Sequence, residues 1–185
     1  MIVGPKRKSV LTPLRKTSIE QFRKWRNFPD LRKYFREFRE ISPEMQERWF
    51  EGRATGNPNQ FDFEIRAVVD GEIIDCESFP LIGHASLNYV SWTNRTAEFG
   101  IYIGDLSYRS GGYGSDALRA LISYGFQSLN LNRIWCEVFS NNDAIDIYRK
   151  LGFKDEGRMR SHHFEDGKYH DSLVLGLLRE EWEAK

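Results

Sequence analysis

Three glycines fall within four residues in Tyr108-Arg-Ser-Gly-Gly-Tyr-Gly-Ser115. The segment separates an alternating run, Thr96–Ile103, from the longest helical pattern, 114–129. The alternation asks for a half-buried sheet. The apolar face of Ala117, Leu118, Leu121, Ile122, Gly125 and Phe126 asks for a surface to cover. Strand, glycine loop and helix together confine the chain to folds that lay helices on a sheet. The glycines permit a tight turn and close approach of backbone amides to a ligand. The following helix start offers free N–H groups and a partial positive charge, which suits a pyrophosphate. Arg109 adds a cation at the mouth. No Gly-Lys-Ser/Thr closes the loop, so it is not a P-loop. The third position of a dinucleotide fingerprint would be Ala117, and the unit comes late in the chain.

The flanking sequence has the same mixed character. Residues 10–14 read as a first strand. Ser18-Ile-Glu-Gln21 resembles a capping box before a helix that Pro29 stops. Ser42-Pro43 starts another helix, with Met45, Trp49 and Phe50 as its apolar stripe. Residues 61–69 alternate as a strand, with Asp70-Gly71 as a hairpin turn. Residues 82–90, Thr96–Ile103 and Arg133–Phe139 are further strands. Residues 143–151 form a helix ended by Gly152. Residues 153–164 and 169–178 flank a second hairpin turn, Asp166-Gly167. No internal repeat and no dividing linker is present, so residues 1–185 read as a single domain. The class is α/β of the α+β type, with about seven mostly antiparallel strands and about four helices.

Charge narrows the partners. Lys and Arg total 27, against 27 Asp and Glu. Residues 1–53 hold 14 of the basic and 7 of the acidic residues, and the remainder carries the opposite excess. A basic arm therefore joins an acidic body, and the arm can face anionic ligands. No apolar run approaches the roughly 20 residues of a membrane helix, so no membrane partner is expected. Cys76 and Cys136, without a secretory signal, point to a reduced cytoplasmic location. The four histidines include the adjacent pair His162-His163, which would point to opposite sheet faces. That spacing is poor for metal ligation, and no metal is expected.

A second segment, Asn141-Asn-Asp-Ala-Ile-Asp-Ile-Tyr-Arg-Lys-Leu-Gly-Phe153, follows the next strand. Here the sequence resembles the GNAT acetyltransferase superfamily. Arg109-x-x-Gly112-x-Gly114 is similar to that family's phosphate-binding motif. Asn141-x-x-Ala144-Ile-x-x-Tyr148-x-Lys150-Leu-Gly-Phe153 is similar to its second signature. Trp25-Arg-Asn and Gly-Lys-Tyr-His-Asp171 resemble the branch of ribosomal-protein N-terminal, spermidine and nucleotide-aminosugar acetyltransferases. That branch often reads Arg-Gly-Lys-Gly where this chain has Arg109-Ser-Gly-Gly112. The substitution removes one lysine contact to phosphate and leaves the backbone amides.

The resemblance implies a GNAT fold, acetyl-CoA as donor and a primary amine as acceptor. It implies a V-shaped opening between Thr96–Ile103 and Arg133–Phe139. The backbone of Ile101, Tyr102 and Ile103 would run along the pantetheine. Arg109, Gly111, Gly112, Tyr113, Gly114 and Ser115 would surround the pyrophosphate, and Asn141 would hold the cofactor from the other strand. Tyr148 matches the family's general acid. Glu98 is the leading candidate for the base, through water, with Glu137 second. An alkyl ammonium titrates near about 10, so some group or water chain must take its proton.

The family's first helices line the acceptor site. Here that region, 31–40, carries Arg32, Lys33, Arg36 and Arg39 at helical spacing. A basic stripe of this kind would repel a polyamine and admit a peptide N-terminus or a nucleotide-linked aminosugar. Arg32, Arg36, Tyr169 and Asp171 are the candidate acceptor-binding residues. A homodimer through exposed strands is common in the family, and nucleic acid is not an expected partner. The alternatives on the same fold are a catalytically silent acyl-CoA-binding module and an RNA-binding module.

Overall fold

A computed structural model of the chain describes residues 1–54, 56–69 and 76–184. The Asp70-Gly71 turn lies outside the described residues. The strands are β1 (Ile2–Val3), β2 (Ser9–Pro13), β3 (Phe61–Ala67), β4 (Leu81–Ser91), β5 (Thr96–Ile103), β6 (Arg133–Phe139), β7 (Lys154–Glu165) and β8 (Lys168–Leu178). The helices are α1 (Ile19–Asn27), α2 (Pro29–Arg32), α3 (Pro43–Ala54), α4 (Tyr113–Ser123), α5 (Ala144–Leu151) and α6 (Arg179–Glu183). The strands form one sheet in the order β1-β2-β3-β4-β5-β6-β8-β7. Within it β5–β6 is parallel and the other described pairs are antiparallel.

Alternation along β5 sends Ala97, Phe99, Ile101 and Ile103 to the face covered by α4 and α5. That face holds the main core, with Leu118, Leu121, Ile122, Phe126, Ile134 and Leu175 almost fully buried. Burying each such side chain is worth about 1.5–3 kcal/mol. Beyond Ser123 the helix continues as a π turn, Tyr124–Ser128. A Cβ on Gly125 would lie 2.8 Å from Ile134 Cδ1, so a larger residue there would require the Ile134 side chain to shift. The opposite face of β4 and β5 meets α1 and α3 through aromatic rings. His84 lies 5.5 Å from Phe22, 5.7 Å from Trp49 and 5.7 Å from Tyr102, centroid to centroid.

Local chemistry explains several boundaries. Ser42 caps α3, its Oγ accepting from Met45 N–H at 3.2 Å. Gly152 takes φ 104° to close α5. Asp166 and Gly167 take φ 47° and 76° in the β7–β8 turn. The capping box at Ser18 does not form: Ser18 is helical and makes no side-chain cap, because Lys16–Ser18 is already a 3-10 turn leading into α1. The stripe over 31–40 is not a helix either. After α2 ends at Arg32, its arginines pair separately with carboxylates. Arg32 reaches Glu40 at 2.5 Å, and Arg39 holds Glu37 through Nε and Nη2 at 2.8 and 2.7 Å. Those bonds from Arg39 hold the Glu37 carboxyl down at about 2. β1 has no counterpart in the sequence reading.

Candidate active site

β5 and β6 pair at Thr96–Arg133, Ala97–Ile134 and Glu98–Trp135, and then part. Past that point β5 keeps β4 on its far side and β6 keeps β8. The β5 edge from Phe99 to Ile103 is left open toward β6 among the described residues. The opening leads into a cleft of about 370 Å³.

The two sides of this gap carry different chemistry. On the α4–α5 side, Tyr148 is 8% exposed and meets Phe99 edge-on, centroids 5.1 Å apart. Its phenol borders the cleft and makes no hydrogen bond among the described residues. Burial, and then neighbouring Cys136, push that phenol above its ordinary value, so it keeps its proton. Burial also raises the Cys136 thiol, with Glu98 contributing. A protonated, inert thiol makes Cys136 a packing residue.

On the α1–α3 side stand Glu98 and Glu137, one position out of phase with Phe99 and Cys136. Arg36, from the segment after α2, reaches between them. Its Nη1 donates to Glu98 Oε2 at 3.4 Å, its Nη2 bonds Glu98 Oε1, and Nη2 lies 3.4 Å from Glu137 Oε2. Burial lowers Arg36, but Glu98, then Glu137 and Tyr89, outweigh it and leave the guanidinium raised. Arg26, Arg36 and Arg53 thus face Glu37, Glu98 and Glu137 around the cleft, three charges of each sign.

At the far end of β5 lies the glycine loop. Gly112 takes φ 83° and Ser110 φ 61°. The first bond of α4 runs from Asp116 N–H to the Gly112 carbonyl at 3.1 Å. The amides of Tyr113, Gly114 and Ser115 precede it, and Gly112 offers no side-chain cap. Such a cradle fits a pyrophosphate. Arg109 is tied to the strand, its Nε donating to the Ile103 carbonyl at 3.2 Å. Ile101 and Tyr102 border the cleft. Asn141 donates to Glu165 at 2.7 Å, while its buried Oδ1 has no partner among the described residues and stands ready for a donor.

The acceptor residues expected from sequence are only partly assembled. Arg36 lines the cleft; Arg32, Tyr169 and Asp171 do not. Arg32 is spent on Glu40 and the Phe38 carbonyl. Asp171 accepts from Ser161 N–H at 2.7 Å and from Arg158, bracing the β7–β8 hairpin. Tyr169 is exposed and packs on Phe164, centroids 4.9 Å apart. The two adjacent histidines do not diverge as expected. A register shift between Met159 and His163, with Ser161 at φ 52°, brings both to β6. His162 Nδ1 lies 3.2 Å from Glu137 Oε1, and His163 stacks on Phe139 at 3.7 Å.

Sequence reasoning missed two contributors. Lys8, from the start of the chain, donates through Nζ to the Gly111 carbonyl at 2.8 Å. It places a cation on the loop whose own lysine is absent. Buried Asp116 holds it there, accepting from the N–H groups of Lys6, Lys8 and Ser9 at 2.7, 3.0 and 3.0 Å. The second is His84, whose Nε2 lies 3.0 Å from Asp62 Oδ1 at the cleft wall. The Lys6-Arg7-Lys8 cluster was a visible signal, but nothing in its spacing connects residue 8 to residue 111.

Comparison with known proteins follows the same lines. The family described as Acetyltransferase (GNAT) domain matches residues 9–154. A putative ribosomal N-acetyltransferase, YdaF, of Bacillus subtilis is 34% identical over 106 residues, 57% of each chain. The spermidine N(1)-acetyltransferase of Escherichia coli is 32% identical over 116 residues, 61% of this chain and 60% of that one. The chain thus spans about three fifths of the length of these curated relatives. The crystal structure of spermidine N-acetyltransferase from Vibrio cholerae in complex with CoA and spermine matches with a TM-score of 0.83. That likeness covers 95% of this chain and 98% of the other at 23% identity, which is a likeness of fold. Family match, parted parallel strands and glycine cradle agree, and the chain belongs to the GNAT acetyltransferase family.

Proposed function

We propose that this protein acetylates the primary amine of an acceptor whose body is neutral or anionic, a peptide N-terminus in the first place, using acetyl-CoA. A nucleotide-linked aminosugar meets the same charge requirement. The observation that carries the reading is Arg36 set between Glu98 and Glu137 at the parting of β5 and β6. Together with Arg26 and Arg53 it offsets Glu37, Glu98 and Glu137, so the cleft has no acidic surplus to hold a polycation. The ribosomal name of the Bacillus relative agrees with a peptide acceptor. The spermidine relatives support a second reading. If Arg36 swung away, Glu98 and Glu137 would form an anionic pair suited to a polyamine.

Acetyl-CoA supplies the thioester carbonyl that the amine attacks and the thiolate that departs. The residues that would hold it are the amides of Tyr113, Gly114 and Ser115, Lys8 and Arg109 at the diphosphate, and the open β5 edge at Ile101–Ile103. Asn141 offers its free Oδ1 from the other strand. Tyr148, protonated and on the α5 side of the gap, donates toward the sulfur. Its raised pKa makes it a hydrogen-bond donor through the neutral range and disfavours full transfer of its proton. Glu98 draws the ammonium proton away through water, on the opposite side of the gap. Two unpaired cysteines fit a reducing cytoplasm. No helix among the described residues is long and apolar enough to cross a membrane. Association of copies would use the sheet edges at β1 or β7.

The test is release of CoA thiol from acetyl-CoA with a panel of peptides, aminosugar nucleotides and polyamines. The reading requires peptides or aminosugars to outpace polyamines.

A further inference from the structure

β4 carries a bulge against β5 beside the cleft. Asn88 pairs with Glu98 and Ser91 with Thr96, so Tyr89 and Val90 together oppose Ala97. The extra residue is accommodated by Tyr89 at φ 50°. That left-handed conformation suits glycine and strains any residue with a Cβ, most of all a bulky one. Packing does not compensate, because Tyr89 is 71% exposed. The bulge is anchored by its neighbour: Val90 is 4% exposed, and its N–H donates to the Asn59 carbonyl at 3.0 Å. For the backbone alone, glycine at position 89 would serve better. A ring kept on strained backbone in open solvent calls for a role outside the fold.

Its surroundings suggest the role. Tyr89 borders the cleft that contains Arg36 and Glu98. It also borders a second, open depression lined by Asn57, Asn59 and Gln60. Those side chains are uncharged amides that both donate and accept, which suits a peptide backbone and offers nothing to a phosphate or an ammonium in particular. Trp92 Nε1 donates to the Pro58 carbonyl at 3.2 Å and braces that wall.

The geometry points to Tyr89 as an acceptor-recognition residue. Its ring divides the amine cleft from the amide-lined depression. The acceptor's chain crosses the ring, leaving its amine at the gap and its neutral, hydrogen-bonding body against Asn57 and Asn59. This rests on the amine-acetylating function proposed above and adds a second subsite to it. Aromatic rims of this kind supply contact area at low entropic cost.

The test uses Tyr89→Gly and Tyr89→Ala in the full chain, with a tetrapeptide and glycinamide as acceptors. Both variants should raise the ratio of tetrapeptide KM to glycinamide KM, by about 10-fold, because only the longer acceptor reaches the ring. Thermal melting reports the strain independently: Tyr89→Gly should melt above Tyr89→Ala, since glycine alone accepts the left-handed backbone. A ratio equal to that of the wild type overturns the recognition role. Alanine melting at or above glycine overturns the strain argument. Wild-type protein that acetylates neither of these acceptors nor a nucleotide-linked aminosugar overturns the parent function instead, and transfer to the aminosugar alone overturns the peptide role of Tyr89.

Discussion

The guanidinium of Arg36 grips both carboxylate oxygens of Glu98 at the point where β5 and β6 separate. Glu98 is 5% exposed, so its charge is held by that partner more than by water. Arg36 also reaches Glu137, and removing its charge would leave two carboxylates facing one gap. Arg36→Gln is therefore expected to shift kcat/KM toward spermidine, relative to a peptide, by about 10-fold or more. Steady-state rates with the two acceptors check it. An unchanged ratio would remove Arg36 from the charge argument.

Tyr148 makes no hydrogen bond among the described residues, so its hydroxyl contributes little to folding. Tyr148→Phe should lower kcat by about 10²-fold, within the range for loss of a positioned proton donor. The KM for acetyl-CoA should stay within about threefold, since the diphosphate and β5 contacts remain. Melting should move by no more than a few degrees, as expected for a shape-conserving change. Because burial keeps the phenol protonated, no ionisation of Tyr148 should shape the rate profile near neutral pH.

What could be read from sequence depended on distance along the chain. The glycine loop, the Gly152 cap, the Asp166-Gly167 turn and the alternation of β5 are local signals, and each marks a feature of the fold. The parting of β5 and β6 came through a family resemblance, because no local pattern shows where two strands stop pairing. Parts of the site were illegible where pairing is long-range. Arg36 finds Glu98 across 62 residues, and Lys8 finds Gly111 across 103. Helical spacing of Arg32, Arg36 and Arg39 suggested a stripe, yet the segment leaves the helix after Arg32. Each arginine pairs with a different carboxylate, Arg32 and Arg39 with Glu40 and Glu37 nearby and Arg36 with Glu98 on β5. Tyr89 was invisible because a bulge depends on its partner strand.

The N-terminal segment should matter for the donor site. Lys8→Met is expected to weaken CoA binding by about 5- to 10-fold, the scale of one lost charge-assisted contact. Calorimetric titration with CoA measures it, and the loss should shrink at high salt. Asp116 is fully buried and accepts from three backbone N–H groups and from Ser9 Oγ at 3.1 Å. Asp116→Ala should destabilise the fold by about 2–4 kcal/mol, because those donors lose their acceptor inside the protein. Denaturant unfolding gives the value, and a change under about 0.5 kcal/mol would contradict the role of Asp116 in holding the N-terminal segment.

Burial raises Tyr102 and Tyr148 above their ordinary 10.0 and Cys136 above 9.0. The unfolded chain releases these protons at the ordinary values, while the folded chain holds them. Stability from these groups is intact below about pH 9 and falls as pH rises beyond it. Each group removes about 1.4 kcal/mol per pH unit while only the unfolded form ionises. Unfolding measured from pH 8 to 11 should show this decline, and Tyr148→Phe should lessen its slope above about pH 10, leaving the share of Tyr102 and Cys136. A level profile would contradict the burial of these side chains.

The most direct measurement is CoA thiol release by wild-type protein with acetyl-CoA and, in parallel, a tetrapeptide and spermidine, with the acetylated product confirmed by mass. The account predicts transfer to the peptide α-amine with kcat/KM at least about 10-fold above that for spermidine, equivalent to about 1.4 kcal/mol of discrimination. Preferential acetylation of spermidine, or CoA binding without transfer to any amine in the panel, would contradict it.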